Sequence, residues 1–511
     1  DHRDLHSFPT RRSSDLKLMF LTILYCVARL LSIFWGGAKC KRAEIIKSYC
    51  IFSQLLYNKR MLDSKNNTIV ALSTPLGVGA ICIVRLSGDD AVTIADKVFV
   101  SIKNKKPSEF EARKLELGTF KANNFNEQIL CVVFRAPFSF TGENLVEFQC
   151  HGGVKIAEGI IETLIDNGAT MAGNGEFSKR AFLNGKLSLE KAEGMMDMIN
   201  AESDAEIRAG YNLLDGELGK LAINSQKALI DVLSEVEVSF DYPEETIEYI
   251  TRNNLSSRLT EIRNQIDALV KTGTAGKQIT GGISLLILGE PNVGKSSLLN
   301  ALTETDRAIV TNVAGTTRDT IEAPLEINGI KFKLIDTAGI HETRDLVERI
   351  GIDKAKSLIK SADLCLVMVD ASKPEDEHDK SVKDLTKNAK RIIIGNKIDK
   401  LAQKTDFLQS ADIYISTQNR GDIERLKTQI YELSADKNIT NGLVVTNARH
   451  LDALKRASGH LENALQAIDT QTLDLVSIDL NLAYSALGEI TGSTTGEDII
   501  DAIFAKFCLG K

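Results

Sequence analysis

The sequence has no C-x-x-C pair, a single tryptophan, and neither an internal repeat nor a low-complexity linker. Its eight cysteines (Cys26, Cys40, Cys50, Cys82, Cys131, Cys150, Cys365 and Cys508) are scattered. That pattern argues against a zinc site or a disulfide framework and fits a reducing compartment. An excess of positive charge is also missing, since 62 Lys and Arg against 69 Asp and Glu give a net charge of −7. Residues 1–60 carry +7, which leaves −14 on residues 61–511. An acidic body does not hold nucleic acid through a general positive field, so any RNA contact is local or shared with a partner. Beyond Met61 there is no long hydrophobic run, and no membrane span is expected there.

Residues 1–66 are unlike the remainder. DHRDLHSFPTRRSSDL has no usable periodicity. Leu18 to Trp35 is apolar apart from Thr22, Arg29 and Ser32, and basic residues precede it, as in a signal or membrane segment. With 18 residues and a central Arg it is marginal for a bilayer, and no clear cleavage site follows. The expectation is translated upstream sequence, with Met61 as the natural start and a cytoplasmic product.

A hydrophobic fraction of 43% with 26% charged residues is ordinary for a globular protein, and 511 residues suffice for two to four domains. Thr68 to Ser87 predicts two strands around a Pro/Gly turn, and Gln128–Phe134 and Val146–Cys150 predict two more. Val154–Ile165 has helical spacing. Residues 67–185 thus form a small α/β domain, in which Gly175 to Lys186 reads as a loop entering a helix. From Leu187 to Leu269 the stripe Leu214, Leu218, Leu221, Leu229, Leu233 and Val236 predicts helices, with a break at Pro243. A similar stripe returns at Leu451, Leu454, Leu461, Leu465 and Ile468. The simplest architecture is a helical domain in two halves, 186–281 and 437–511, with an α/β module at 282–436 inserted between them.

That module opens with Gly289 to Ser297, GEPNVGKSS, between an apolar run at Ile283–Leu288 and helically spaced Leu298, Leu299, Ala301 and Leu302. In strand–loop–helix context, GxxxxGK[ST] binds phosphate through its backbone N–H groups and the helix N-terminus. Lys295 would reach the β- and γ-phosphates and the Ser296 hydroxyl would hold Mg²⁺. Lys331 to Ile335 runs into Asp336-Thr337-Ala338-Gly339, where the Asp serves Mg²⁺ and the Gly N–H senses the γ-phosphate. Asp363–Asp370 and Arg391–Gly395 read as buried parallel strands, the second opening into Asn396-Lys397-Ile398-Asp399. A carboxylate at Asp399 accepts from guanine N1–H and the exocyclic amine, a pairing adenine cannot offer. Ser416, after a strand at Asp412–Ile415, would support the base through its backbone.

Two features depart from a Ras-like site. Ile340 stands where a water-orienting Gln is usual, which leaves Glu342, Asp345 or Glu348 to do that work. Asn292, with VTNVAGTTR at Val310–Arg318, either stabilises the loop or joins backbone carbonyls around a monovalent cation that supplies the charge of an arginine finger.

Four blocks resemble the MnmE (TrmE) family of tRNA uridine-modification GTPases. They are TIVALSTPLGVGAICIVRLSG; TGENLVEFQCHGG with GEFSKRAFLNGK; GEPNVGKSSLLNAL with VTNVAGTTRD, DTAGIHETRDLVERIGI and NKID; and the terminal FCLGK at Phe507–Lys511. The resemblance runs from Thr68 to Lys511. It implies an N-terminal α/β tetrahydrofolate-binding domain that dimerises, a discontinuous helical domain, and an inserted Ras-like P-loop GTPase domain with a mostly parallel, doubly wound sheet. It also implies a one-carbon folate, 5,10-methylene-tetrahydrofolate or its 5-formyl analogue, at Arg85, Glu147, Lys186 and Lys511, with Cys508 near that pocket. GTP would contact Asn292-Val293-Gly294-Lys295-Ser296-Ser297 and Thr311-Asn312-Val313-Ala314-Gly315-Thr316-Thr317. It would also meet Asp336-Thr337-Ala338-Gly339 and Asn396, Lys397, Asp399, Ser416 and Thr417.

The same resemblance implies K⁺ on Asn292, Thr311, Val313 and Thr316, Mg²⁺ on Ser296 and Thr317, and Glu348 as the residue that organises attacking water beside catalytic Lys295. The implied product is 5-carboxymethylaminomethyl-uridine at the tRNA wobble position, made by a homodimer in a heterotetramer with the FAD-dependent MnmG (GidA) protein, off the membrane. Thr170, Asn174, Asn144 and Thr417 depart from the family pattern. Two other classes remain: a ribosome-assembly GTPase, which would carry an appended RNA-binding module, and a nucleotide-gated scaffold without turnover.

Overall fold

A computed structural model describes residues 67–241, 245–304, 322–336, 356–401, 409–437, 439, 442–468 and 473–511. Met61 and the segment before it lie outside those residues, and so does the expected break at Pro243. The described chain divides into two units, one of residues 67–132 and 146–171, the other of residues 133–145 and 172 onward.

The first unit contains β1 (Ile69–Leu72), β2 (Ile81–Ser87), α1 (Ala91–Val98), β3 (Phe99–Ser101), β4 (Glu116–Lys121), most of β5 (Asn126–Phe134) and of β6 (Leu145–His151), α2 (Val154–Asp166) and β7 (Thr170–Met171). The strands form one sheet in the order β3-β4-β5-β6-β2-β1-β7. β1 lies antiparallel to β2, with Ala71 opposite Arg85, and parallel to β7. Alternation along β2 buries Cys82, Val84 and Leu86, while Ile83 and Arg85 on the other face are half-buried. Phe99, Phe120 and Phe148 fill the core, Phe120 meeting Phe148 edge-on at 5.2 Å. β3 and β4 are short strands that the sequence pattern did not announce.

The second unit begins with α3 (Glu176–Leu183), α4 (Leu189–Asn200), α5 (Asp204–Asp215), α6 (Glu217–Asp241), α7 (Glu245–Lys271) and α8 (Gly273–Gly281). The α/β module follows as β8 (Ile283–Gly289), α9 (Lys295–Glu304), β9 (Glu322–Ile327), β10 (Ile330–Asp336), β11 (Leu364–Asp370), α10 (Glu377–Leu385), β12 (Arg391–Asn396), β13 (Ile413–Tyr414) and α11 (Arg420–Ser434). The chain ends with α12 (Ala448–Ile468), α13 (Leu473–Thr491) and α14 (Glu497–Phe504).

Helices from both sides of the module share one core. Leu218, Leu229 and Val232 of α6 and Leu255, Leu259 and Ile266 of α7 pack with Leu454 and Leu461 of α12 and Leu480 and Leu487 of α13. A helical domain interrupted by the α/β module is therefore the observed architecture. Glu193 of α4 is 9% exposed and accepts from Arg449 and His450 of α12 and from Asn447. Burial pushes the Glu193 carboxyl up, but the His450 and Arg449 donors outweigh it and hold the group down at about 2. A cavity of about 240 Å³ lies nearby, lined by Asp197, Asn200, Glu202, Glu206, Thr280 and Lys331 among others. Burial first, then Glu193 and Glu206, push Asp197 up to about 6.

The module's sheet has the order β13-β12-β11-β8-β10-β9. All neighbours are parallel except the edge strand β9, which pairs antiparallel with β10. β11 is buried at every residue, which explains its unbroken apolar run LCLVMVD. Strand order reverses at β8: the chain moves to β10 on one side and to β11 on the other. The loop after β8 thus opens at a topological switch point, the usual crevice for ligands in such sheets.

One expectation needs correction. Gly175–Lys186 is not mainly loop, because Glu176 to Leu183 is helix α3. Its Phe177 and Ala181, one turn apart, are fully buried, and Phe182 packs near Phe504 of α14 with ring centroids 6.0 Å apart. The partner that buries this helix comes from the far end of the chain, so local pattern alone did not reveal it.

Candidate functional site

Glu290 to Gly294 links β8 to α9, and each end is built on glycine or a left-handed residue. Asn292 has φ +66° and Gly294 φ +104°. A Cβ on Gly294 would come within 2.3 Å of Asn396 Nδ2, so the loop can pass this close to β12 only without a side chain. Lys295, 9% exposed at the first position of α9, donates from Nζ to the Gly289 and Glu290 oxygens at 2.9 and 2.8 Å. Its ammonium thus lies against the phosphate loop itself. Ser296 and Ser297 in the first turn of α9 are exposed, as is Asn292, while Val293 is buried under the loop. The partial positive charge of the helix N-terminus and this ammonium together suit an anion.

The second half of the site lies at the carboxyl ends of β11, β12 and β13. Asn396, 1% exposed, donates Nδ2 to the Val293 oxygen at 2.8 Å and accepts from Thr417 N at 3.3 Å. Lys397, at φ +67°, donates to Asp370 Oδ2 at 2.8 Å. Burial raises the Asp370 carboxyl, but hydrogen bonds from Lys397 and Ser372 prevail and hold it below its ordinary value. Asp399 is exposed, and its Oδ1 accepts from the Ser416 hydroxyl at 2.7 Å. Ser416 N in turn donates to Asp422 Oδ2 at 2.9 Å. One Asp399 oxygen is fixed by Ser416, which sets the plane of the carboxylate that would read a base. Ser416 thus meets Asp399 through its hydroxyl, while its N–H goes to Asp422.

Sequence reasoning passed over Asp370 and Asp422, although the first offered a signal: an acid ending a parallel strand beside a switch point. It also passed over Glu290, Asp376 and Asp379, whose carboxylates gather beside the loop within 4.8 Å of one another. Partial burial, then hydrogen bonding to Asp376, raises Glu290. At the other side of the site, β10 ends at Asp336, whose backbone pairs with Ile287 next to the loop. Thr311, Asn312, Val313, Ala314, Gly315, Thr316 and Thr317 lie outside the described residues. So do Thr337, Ala338, Gly339, Ile340, Glu342, Asp345 and Glu348.

In the first unit, Arg85 of β2 and Glu147 of β6 pair with each other, Nη2 to Oε1 at 2.7 Å and Nε to Oε1 at 2.9 Å. Lys186 and Lys511 belong to the second unit. There Lys186 is exposed, while Lys511 donates its N–H to Cys508 O at 3.3 Å. Asn174 bridges Leu509, and Gly175 N donates to Cys508 O at 3.3 Å, so the FCLGK tail is seated on the start of α3. Among the described residues no helix is long and apolar enough to cross a membrane.

Two family models match the chain. One, described as "MnmE helical domain", covers residues 189–508, and the other, "GTP-binding protein TrmE N-terminus", covers residues 68–186. Similar proteins include the tRNA modification GTPase MnmE of Lactobacillus gasseri, 42% identical over 453 residues, or 87% of this chain and 98% of that protein. The protein of that name from Geobacillus thermodenitrificans is 41% identical over 460 residues, 87% of this chain and 99% of its own. Among solved structures, Aquifex aeolicus Era bound to GDP.AlF4- is 26% identical, covering 35% of this chain and 66% of that one at a TM-score of 0.25. The G domain of the T. maritima FeoB iron transporter is 25% identical, covering 30% of this chain and 98% of its own at a TM-score of 0.22.

Proposed function

This chain belongs to the MnmE family of tRNA modification GTPases, and from that premise we propose that its GTP hydrolysis serves formation of the 5-carboxymethylaminomethyl group on the wobble uridine of certain tRNAs. The observation that carries the nucleotide half of this reading is the Ser416–Asp399 contact of 2.7 Å beside the Asn396 bridge to the phosphate loop. An oriented carboxylate pairs with both guanine donors, and adenine would leave it unpaired.

In this reading Lys295 neutralises the β- and γ-phosphates, and the exposed Ser296 hydroxyl on α9 is chemically suited to Mg²⁺, a hard cation that takes oxygen ligands. Thr317 would join Ser296 on Mg²⁺. Asn292, Thr311, Val313 and Thr316 offer the amide, hydroxyl and carbonyl oxygens that suit K⁺, which supplies positive charge near the transferring phosphoryl group. Glu348 orients the attacking water where Ile340 has no polar atom to do so. Hydrolysis then drives a conformational change, since GTP has no evident place in the uridine chemistry.

The first unit would bind the one-carbon tetrahydrofolate. Arg85 suits the carboxylates of a folate and Glu147 the donors of its pterin, and their pairing on neighbouring strands holds opposite charges together. Lys186 and Lys511, in the second unit, are the further folate-binding candidates of this reading. Assembly as a cytoplasmic homodimer, with an FAD-dependent partner of the MnmG type, completes the proposal.

Two measurements test it. GTP turnover in K⁺ should exceed that in Na⁺ and collapse in Glu348→Ala; equal slow rates in every sample would indicate a scaffold. Nucleoside mass spectrometry of a strain without the gene should lose the modified wobble uridine, and unchanged nucleosides would overturn the tRNA half.

A further inference from the structure

Cys82 of β2 and Cys150 of β6 face the core from neighbouring strands of the first sheet, with their sulfurs 3.2 Å apart. Each thiol also approaches a main-chain oxygen of the opposite strand at 3.4 Å, Cys82 that of His151 and Cys150 that of Cys82. Reaching a disulfide bond length asks for a closing movement of roughly 1.2 Å, within the range of small side-chain rotations. Both residues are buried, at 5% and 4% exposure, and each is one residue from an end of its strand. Their chain neighbours Ile81 and His151 are exposed, and the adjoining Gly79 and Gly152 are joined by a 2.8 Å hydrogen bond. Among the described cysteines no other sulfur pair makes such a contact, and Cys508 is the exposed one.

We propose that Cys82 and Cys150 are a reversible oxidation site that closes to a disulfide between β2 and β6 when hydrogen peroxide reaches the domain. The hydrogen bond between the two thiols lowers Cys82, against the opposing effects of burial and Glu127, while the same contact and burial raise Cys150. We take Cys82 as the attacking sulfur and Cys150 as the resolving one; the 3.2 Å contact gives the same disulfide if the roles are exchanged. The Cys82 thiolate attacks one peroxide oxygen and the O–O bond breaks. The departing hydroxide takes up the proton that Cys82 released, giving water and a sulfenic acid. The Cys150 sulfur then attacks the Cys82 sulfur. The S–O bond breaks as S–S forms, and hydroxide leaves with the Cys150 proton as a second water. Two thiols lose two electrons and one peroxide is reduced to two waters. The new bond lies three residues from Arg85 and from Glu147, so it clamps the same strand pair that their ion pair spans on the other face.

The test uses the full-length folded protein. It is treated with hydrogen peroxide, alkylated, digested without reductant and mapped by mass spectrometry. The expected product is a peptide linking Cys82 to Cys150, with loss of both alkylatable thiols and their full return after dithiothreitol. The same linkage is expected in Cys508→Ser, and none in Cys82→Ser, although the wild-type map alone decides. Recovery of both cysteines alkylated while Cys508 is consumed would overturn the proposal. Linkage of either to another cysteine, or their separate conversion to sulfinic or sulfonic acids, would do the same.

Discussion

Asn396 and Val293 are joined across 103 residues of sequence by one hydrogen bond, from the Asn396 amide to the Val293 main-chain oxygen at 2.8 Å. Because Asn396 also accepts from Thr417 N, a single buried amide ties the phosphate loop to the loop behind the base. The two halves of the candidate nucleotide site are thereby held in one register.

Removing that amide should loosen both halves together. Asn396→Ala leaves the Val293 oxygen without its partner, a cost of about 1–3 kcal/mol, or roughly 5- to 150-fold in nucleotide affinity. Titration with a fluorescent GDP analogue measures it. A change below about twofold would mean that the bridge is incidental to binding.

Asp399→Asn should exchange specificity rather than merely abolish binding. An amide nitrogen cannot accept from the guanine amine, so GTP weakens by about 1.5–3 kcal/mol, roughly ten- to 150-fold. Xanthine carries an oxygen at that position and can accept from the new amide, so XTP should bind more tightly to the variant than to the parent. Equal loss for both nucleotides in competition binding would count against a base-reading role for Asp399.

The acid in the cavity beside β10 gives a pH signature. Asp197 titrates at about 6 in the fold, against an ordinary 3.8. Between those values the folded chain binds more protons than the unfolded one, so stability falls as pH rises from about 4 to 6 and stays low above. Asp197→Asn should remove that fall. After discounting for partial solvent exposure it should add about 1–2 kcal/mol at neutral pH. Calorimetric melting across this range is the measurement, and a parent-like slope in the variant would refute the assignment.

Gly175 should accept no side chain. Its φ of +64° is costly for alanine, and a Cβ there would meet Phe504 O at 2.3 Å and Phe507 Cβ at 2.8 Å. Gly175→Ala should cost about 1–3 kcal/mol and lift the C-terminal tail. Amide exchange at Cys508–Lys511 should accelerate while that of β8 and β11 stays slow. Unchanged tail protection would show that the seat tolerates the methyl group.

What the sequence alone determined is whatever contiguous residues can build. A buried strand, a loop with residues at positive φ and a helix start are specified within Ile283 to Leu302, so the framework of the candidate phosphate loop was legible. The Leu stripes on either side of the module likewise announced a helical domain in two halves, because helical periodicity is local. Tertiary structure decided the pairs that strand order brings together. Lys397 meets Asp370 from 27 residues away, Arg85 meets Glu147 from 62, and Cys82 meets Cys150 from 68. No spacing rule encodes which strand lies beside which. Helix α3 belongs with them: its buried face is apolar at few positions, and the ring that packs near it, Phe504, arrives from the end of the chain. Burial is a property of the assembled sheet and helices, and a linear pattern reports it only where both partners lie close in sequence.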